Sequence, residues 1–198
     1  MACPFFMIGG CKMSFSSIDL CSKALNKIGA ESIVSFEEGT PEAEICGSLY
    51  PTLKYKLLSV FEWSFATAVK KLNRVVDNDE YRESFGQAFA LPLDFLRAVS
   101  VEPNVPYKIV GNYLYAEVDD VKLHYIANVG EEYFSPIFVS AFVYLLAAEL
   151  SISLLNDTSK YSLFYRLFVS ELREAKNIDS QQETPKGIKN FVLVDVRK

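Results

Sequence analysis

His124 is the only histidine of the chain, and its four cysteines are Cys3, Cys11, Cys21 and Cys46. One imidazole cannot build a multi-histidine metal site, and the cysteine spacings match no zinc pattern. His124 shares a predicted strand face with Lys122, which predicts a solvent-facing ring. Cys21 and Cys46 fall on predicted helices among apolar neighbours, which predicts reduced, buried thiols of a cytosolic protein. No serine or cysteine sits in a context that nominates it as a nucleophile. Neither a Walker loop nor a dinucleotide glycine fingerprint is present. Asp77, Asp79, Glu80 and Glu83 form one dense acidic cluster. A calcium loop of EF-hand type needs glycine where Arg82 stands and glutamate where Ala88 stands, so a solvated loop is the expectation. Glu37-Glu38 and Glu131-Glu132 likewise read as solvated loop charges. Trp63 with Phe61 and Phe65 reads as packing at a helix-to-sheet junction. The chain is therefore expected not to be an enzyme and to need no metal or cofactor.

The elements that carry these residues follow from periodicity. Ser16 or Ser17 can cap a helix that runs through Cys21, Ala24, Leu25 and Ile28 and stops at Gly29. Thr40 and Pro41 open a second, with Glu42 and Glu44 near its positive end and Pro51 predicting a kink. After Trp63 the pattern alternates. Phe85, Phe89 and Leu91 occupy alternate positions, and 95–101 reads as a strand. Gly111-Asn112 between 107–110 and 113–118 is a two-residue hairpin signal, and Val121, Leu123 and Tyr125 alternate with Lys122 and His124. Ser135 and Pro136 then open a long helix, and Thr158 caps a last one with the stripe Tyr161, Phe164, Leu167, Phe168 and Leu172.

The expected fold class is α+β: a helical bundle with an inserted small antiparallel β-sheet between the second and third long helices. Residues 1–13 are a flexible leader. Residues 14–177 are one domain, with helices at 16–29, 40–61, 135–155 and 158–177 and the β insert at 64–127. Residues 178–198 form a C-terminal arm, polar from Asp179 to Lys189, that ends in the apolar patch Phe191, Val192, Leu193 and Val194. Such a patch near a terminus is expected to be buried, either folded back as a strand on the chain's own sheet or docked on a neighbour. The net charge of −5 does not invite DNA or an anionic membrane. With 15 Phe and 11 Tyr, the chain has more aromatic surface than one small core needs, which points to interfaces. The run 137–155 carries one charge, Glu149, and is long enough to span a bilayer. No Lys or Arg flanks it closely, so a central buried helix is the expectation.

Together these segments resemble a known family. The residues that carry the resemblance begin with Ala24-Leu25-Asn26-Lys27-Ile28-Gly29, then Ile33 and 35–38, then Ala43, Cys46 and Tyr50-Pro51 running into Trp63-Ser64-Phe65-Ala66. Further on stand Ala90-Leu91-Pro92-Leu93-Asp94-Phe95-Leu96-Arg97, Tyr113-Leu114-Tyr115, Tyr125-Ile126, Pro136 with Phe138, and Ala175 through Asp179-Ser180-Gln181-Gln182 to Asp195-Val196-Arg197. In that order and spacing, residues 16–198 resemble the tail tubular protein A family, the head-to-tail adaptors of short-tailed bacteriophages. Glu62 stands where the family often has proline, and the leader before Met13 has no counterpart.

The resemblance implies a virion protein at the head-to-tail interface, present in host cytoplasm during assembly. It implies a ring, commonly a dodecamer, beneath the portal protein, with the tail nozzle protein and possible tail fibres as further partners. Genomic DNA would pass through its channel without specific binding, and no membrane is involved. The competing expectations are another minor tail or head-completion protein, or a small membrane-associated host protein built on 137–155.

Overall fold

The Asp19 amide donates to Ser16 Oγ (3.1 Å) and the Ser16 amide to Asp19 Oδ2 (3.0 Å), so each satisfies a donor the other leaves orphaned. That capping box starts α1, Ser17–Ile28, which ends on Gly29 in the left-handed conformation. The computed structural model that shows this describes residues 15–75 and 86–182. Thr40 Oγ1 accepts from the Ala43 amide and Pro41 opens α2, Pro41–Ser59, which continues through Pro51. Ser135 Oγ accepts from the Phe138 amide to start α3, Pro136–Ser153. The last helix among the described residues, α4, spans Thr158–Ser180. Its cap is Asp157, not Thr158. The Asp157 carboxylate reaches the Ser159 and Lys160 amides at 2.9 and 3.0 Å, and a carboxylate there also suits the positive helix end.

The fold is mixed α+β, with four α-helices and two small antiparallel sheets among the described residues. The expectation of one sheet is corrected to two. The strands are β1 Thr67–Lys71, β2 Arg74–Val75, β3 Gln87–Ala90, β4 Phe95–Glu102, β5 Tyr107–Val110, β6 Tyr113–Ala116 and β7 Lys122–Ala127. The first sheet has the order β1-β7-β4 and the second β2-β3-β6-β5. The hairpin between β5 and β6 pairs Val110 with Tyr113 across Gly111-Asn112. Gly111 has φ +57° and Asn112 does not share a positive φ, the pattern of a type II′ turn.

Two apolar cores result. One is helical and gathers α1, α2 and α3 with Phe168 and Ala175 of α4, closed at one end by Trp63, Ala66 and Ile126. α3 is the central element, with α1, α2 and α4 all packed on it. The second core lies on the strands, around Phe89, Val101, Leu114, Leu123 and Tyr125. The stripe expected on α4 holds for Phe168, which is buried, and for Phe164 and Leu172, which pack against the core. Leu167 is exposed instead, because one helical step turns it about 100° from Phe168.

Candidate functional site

The C-terminal helix does not stop where the arm was expected to begin. It runs to Ser180, so Ile178 and Asp179 are helical. Asp179 is buried, and its Oδ2 accepts from the Ser64 amide while Oδ1 accepts from Ser64 Oγ, both at 2.8 Å. Gln182 Oε1 lies 3.3 Å from the same hydroxyl. A carboxylate that accepts two hydrogen bonds in a dry setting repays its desolvation only with both donors in place. The end of α4 is thereby locked to the residue that follows Trp63 and precedes β1. The helix expected to end at 177 continues through Asp179 to Ser180. Asp179→Ala is expected to destabilise the fold by about 1.5–3 kcal/mol, since it strands the Ser64 amide. Urea denaturation checks this, and a change below about 0.5 kcal/mol would contradict it.

A second lock is built on an acid expected in solvent. Glu131 sits in a short 3-10 turn, Glu131–Tyr133, between β7 and α3. Its Oε1 accepts from Tyr50 Oη (2.9 Å) and Lys54 Nζ (3.0 Å), neighbours one turn apart on α2. The Lys54 and Glu131 side chains are only 12% and 20% exposed, which corrects the reading of Glu131 as a solvated loop charge. Burial pushes the Glu131 carboxyl up, but the hydrogen bonds from Lys54 and Tyr50 and the lysine charge outweigh it and hold it below the ordinary 4.5. Burial, then the bond to Glu131, push the Tyr50 phenol up. A depressed folded-state pKa makes this carboxylate stabilising above its unfolded value, and that stability is lost as pH falls through the folded value. Glu131→Gln is therefore expected to lower stability at neutral pH by about 1–3 kcal/mol. The deficit should shrink below pH ~4. Denaturant titrations of both proteins across pH decide it, and an undiminished deficit in acid would refute the ionic origin.

Cys21 and Cys46 are free and buried, in keeping with their helical positions among apolar neighbours. A hydrogen bond between the two thiols, together with burial, pushes Cys21 far above the ordinary thiol range. His124 is less open than expected, with its side chain 28% exposed. Its Nε2 lies 3.1 Å from Glu102 Oε1, at ion-pair distance but not aligned for a hydrogen bond. Trp63 is fully buried among Phe61, Phe65 and Phe138, which is packing and no open platform. Among the described residues, no three His, Cys, Asp or Glu side chains stand close enough to share a metal ion. An open cleft of about 300 Å³, lined by Gly86, Gln87, Glu117, Val118 and Asp119, offers carboxylates but no nucleophile.

Phe191, Val192, Leu193 and Val194 lie outside the described residues, as do Cys3, Cys11 and the cluster Asp77, Asp79, Glu80 and Glu83. The described part supplies the place from which the C-terminal segment departs, at Gln182 beside Ser64. It also supplies apolar surface on α4, where Leu163, Tyr165, Leu167, Val169 and Ile178 stay exposed. No protein-family model matches this chain, and no curated protein matches it.

Proposed function

We propose that this chain is a structural head-to-tail connector subunit of a phage virion, an adaptor that forms a ring under the portal protein. The ring extends the DNA channel and recruits the tail nozzle, with the part of the expected arm that follows Gln182 docking on a neighbour or on the portal. The observation that carries this reading is the order and spacing of the segments between Ala24 and Arg197 that resemble the tail tubular protein A family. On this reading the two sheets are an insert in a helical bundle, between its second and third long helices. The protein catalyses nothing and holds no metal or cofactor. Its negative net charge of −5 suits a channel through which DNA slides without sticking. The exposed apolar side chains of α4 suit contacts between subunits.

A membrane-associated reading has one observation in its favour. Pro136–Ser153 is long and apolar enough to cross a bilayer, with a mean hydropathy of 1.7. Against it, 61% of that helix is buried inside the chain, and α1, α2 and α4 occupy its surface. The core-helix reading accounts for the same composition.

Co-sedimentation tests the connector reading. Mixed with the portal protein encoded in the same genome, the full chain should sediment with the portal ring. A chain that stays in the supernatant at every concentration contradicts the reading.

A further inference from the structure

Among the described residues, strand β1 is an edge of its sheet, paired with β7 on one side. The Ala127 amide donates to the Ala66 carbonyl and the Leu72 amide to the Val121 carbonyl. These bonds fix the phase of the antiparallel ladder, so Ala68 and Lys70 face β7 with their backbone groups. Thr67, Val69 and Lys71 must then turn theirs outward. The Thr67 amide is satisfied by the Trp63 carbonyl at 2.9 Å. The Val69 amide and carbonyl have no such partner among the described residues. Four of the five β1 residues are exposed, and Val69 shows 57% of its surface.

An open edge of this kind is a template for another strand. The opposite edge of the sheet, β4, carries two register shifts against β7 and packs against α2. β1 has neither a bulge nor a proline. Lys70 and Lys71 guard it against indiscriminate pairing; Lys71 already pairs with Asp120 at 2.8 Å, which leaves Lys70 to favour a strand that carries a carboxylate.

The chain supplies a strand of that kind. Asn190-Phe191-Val192-Leu193-Val194-Asp195 is β-branched and aromatic, with Asp195 directly after the patch. Its route begins at Gln182, which touches Ser64 just before β1. From there the stretch Glu183 to Asn190 reaches roughly 26 Å when extended, at about 3.3 Å per residue. β1 itself is only about 17 Å long. The link, which also holds Pro185 and Gly187, is long enough to carry the patch beyond the β1 of its own subunit.

We propose that the free edge of β1 is the acceptor for residues Phe191–Val194 of a second copy of this chain, which pair with it as an added strand. This rests on the connector reading for the ring it would close, and not for the pairing itself. Successive exchanges of this kind run head to tail, the geometry from which rings are built.

Disulfide trapping between two full-length populations tests it. One population carries Val69→Cys. The other carries cysteine at Phe191, Val192, Leu193 or Val194 in turn, which covers each register. Both have Cys3→Ser and Cys11→Ser, so that the only cysteines beyond these are the buried Cys21 and Cys46. After oxidation a covalent heterodimer is expected for alternate arm positions. It should disappear when Lys71, whose amide faces outward, is replaced by Pro in the acceptor population, a change that leaves the bonds of β1 to β7 in place. Absence of a heterodimer at all four positions overturns the proposal. So does a third population with both cysteines in one chain, if it cross-links only within that chain. Electron microscopy of the same samples separates the two ideas: rings without cross-links leave the connector reading standing and remove the β1 edge. Cross-links without rings do the reverse.

Discussion

Trp63→Ala should lower stability by about 3–5 kcal/mol, more than the loss of either the Asp179 or the Glu131 carboxylate. The indole is fully buried. It meets Phe61 and Phe138 edge-on at 5.0 Å between ring centres and stacks on Phe65 at 5.9 Å. Its Nε1–H donates to the Leu57 carbonyl at 3.0 Å. Leu57 lies in the last turn of α2, where carbonyls lack partners within the helix, so the indole caps that end. The Trp63 carbonyl in turn accepts from the Ala66 and Thr67 amides and from Thr67 Oγ1. One residue thus joins the end of α2, the start of β1 and the first turns of α3. Trp63→Phe keeps much of the packing and loses the cap, and should cost about 1–2 kcal/mol. Circular dichroism in urea is the appropriate readout, because Trp63 is the only tryptophan and its removal takes the fluorescence signal with it. A loss below about 1 kcal/mol for the alanine variant would show that the junction is not a keystone.

Removing Glu183–Lys198 should abolish ring formation and portal binding while leaving the fold intact. The cut falls after Gln182, so Asp179 keeps both bonds to Ser64 and the C-terminal end of α4 stays locked. The helical core is assembled from residues up to Ala175 and is untouched by the deletion. Thermal and urea midpoints should therefore stay within about 0.5 kcal/mol of the full chain. Binding should fall below detection, because the patch Phe191 to Val194 leaves with the arm. A truncated chain that still binds portal with unchanged affinity ends the docking-arm idea. A loss of several kcal/mol instead would mean that the arm completes its own subunit.

The helices were legible because each announces itself locally: Ser16, Thr40 and Ser135 cap, Pro41 and Pro136 open, and Gly29 stops. The hairpin was legible from Gly111-Asn112 for the same reason. What escaped was whatever depends on distant partners. β1 reads Thr-Ala-Val-Lys-Lys and β2 is two residues long, with no alternation to mark either. Their strand character comes from β7 and β3, and the division into two sheets comes from that long-range pairing. Glu131 and Asp179 escaped likewise. Each is an acid in a polar stretch, and only the fold reveals that Lys54 and Tyr50 wait for one and Ser64 for the other. The C-terminal patch was visible as composition, whereas the outward-facing edge of β1 emerges only from the phase of its ladder.

Electron microscopy of the purified full chain, alone and mixed with the portal protein of the same genome, tests the connector reading most directly. The expected result is a closed ring with an axial channel, commonly twelvefold, stacked coaxially on the portal in the mixture. A chain that remains a dispersed monomer beside bare portal rings would contradict it.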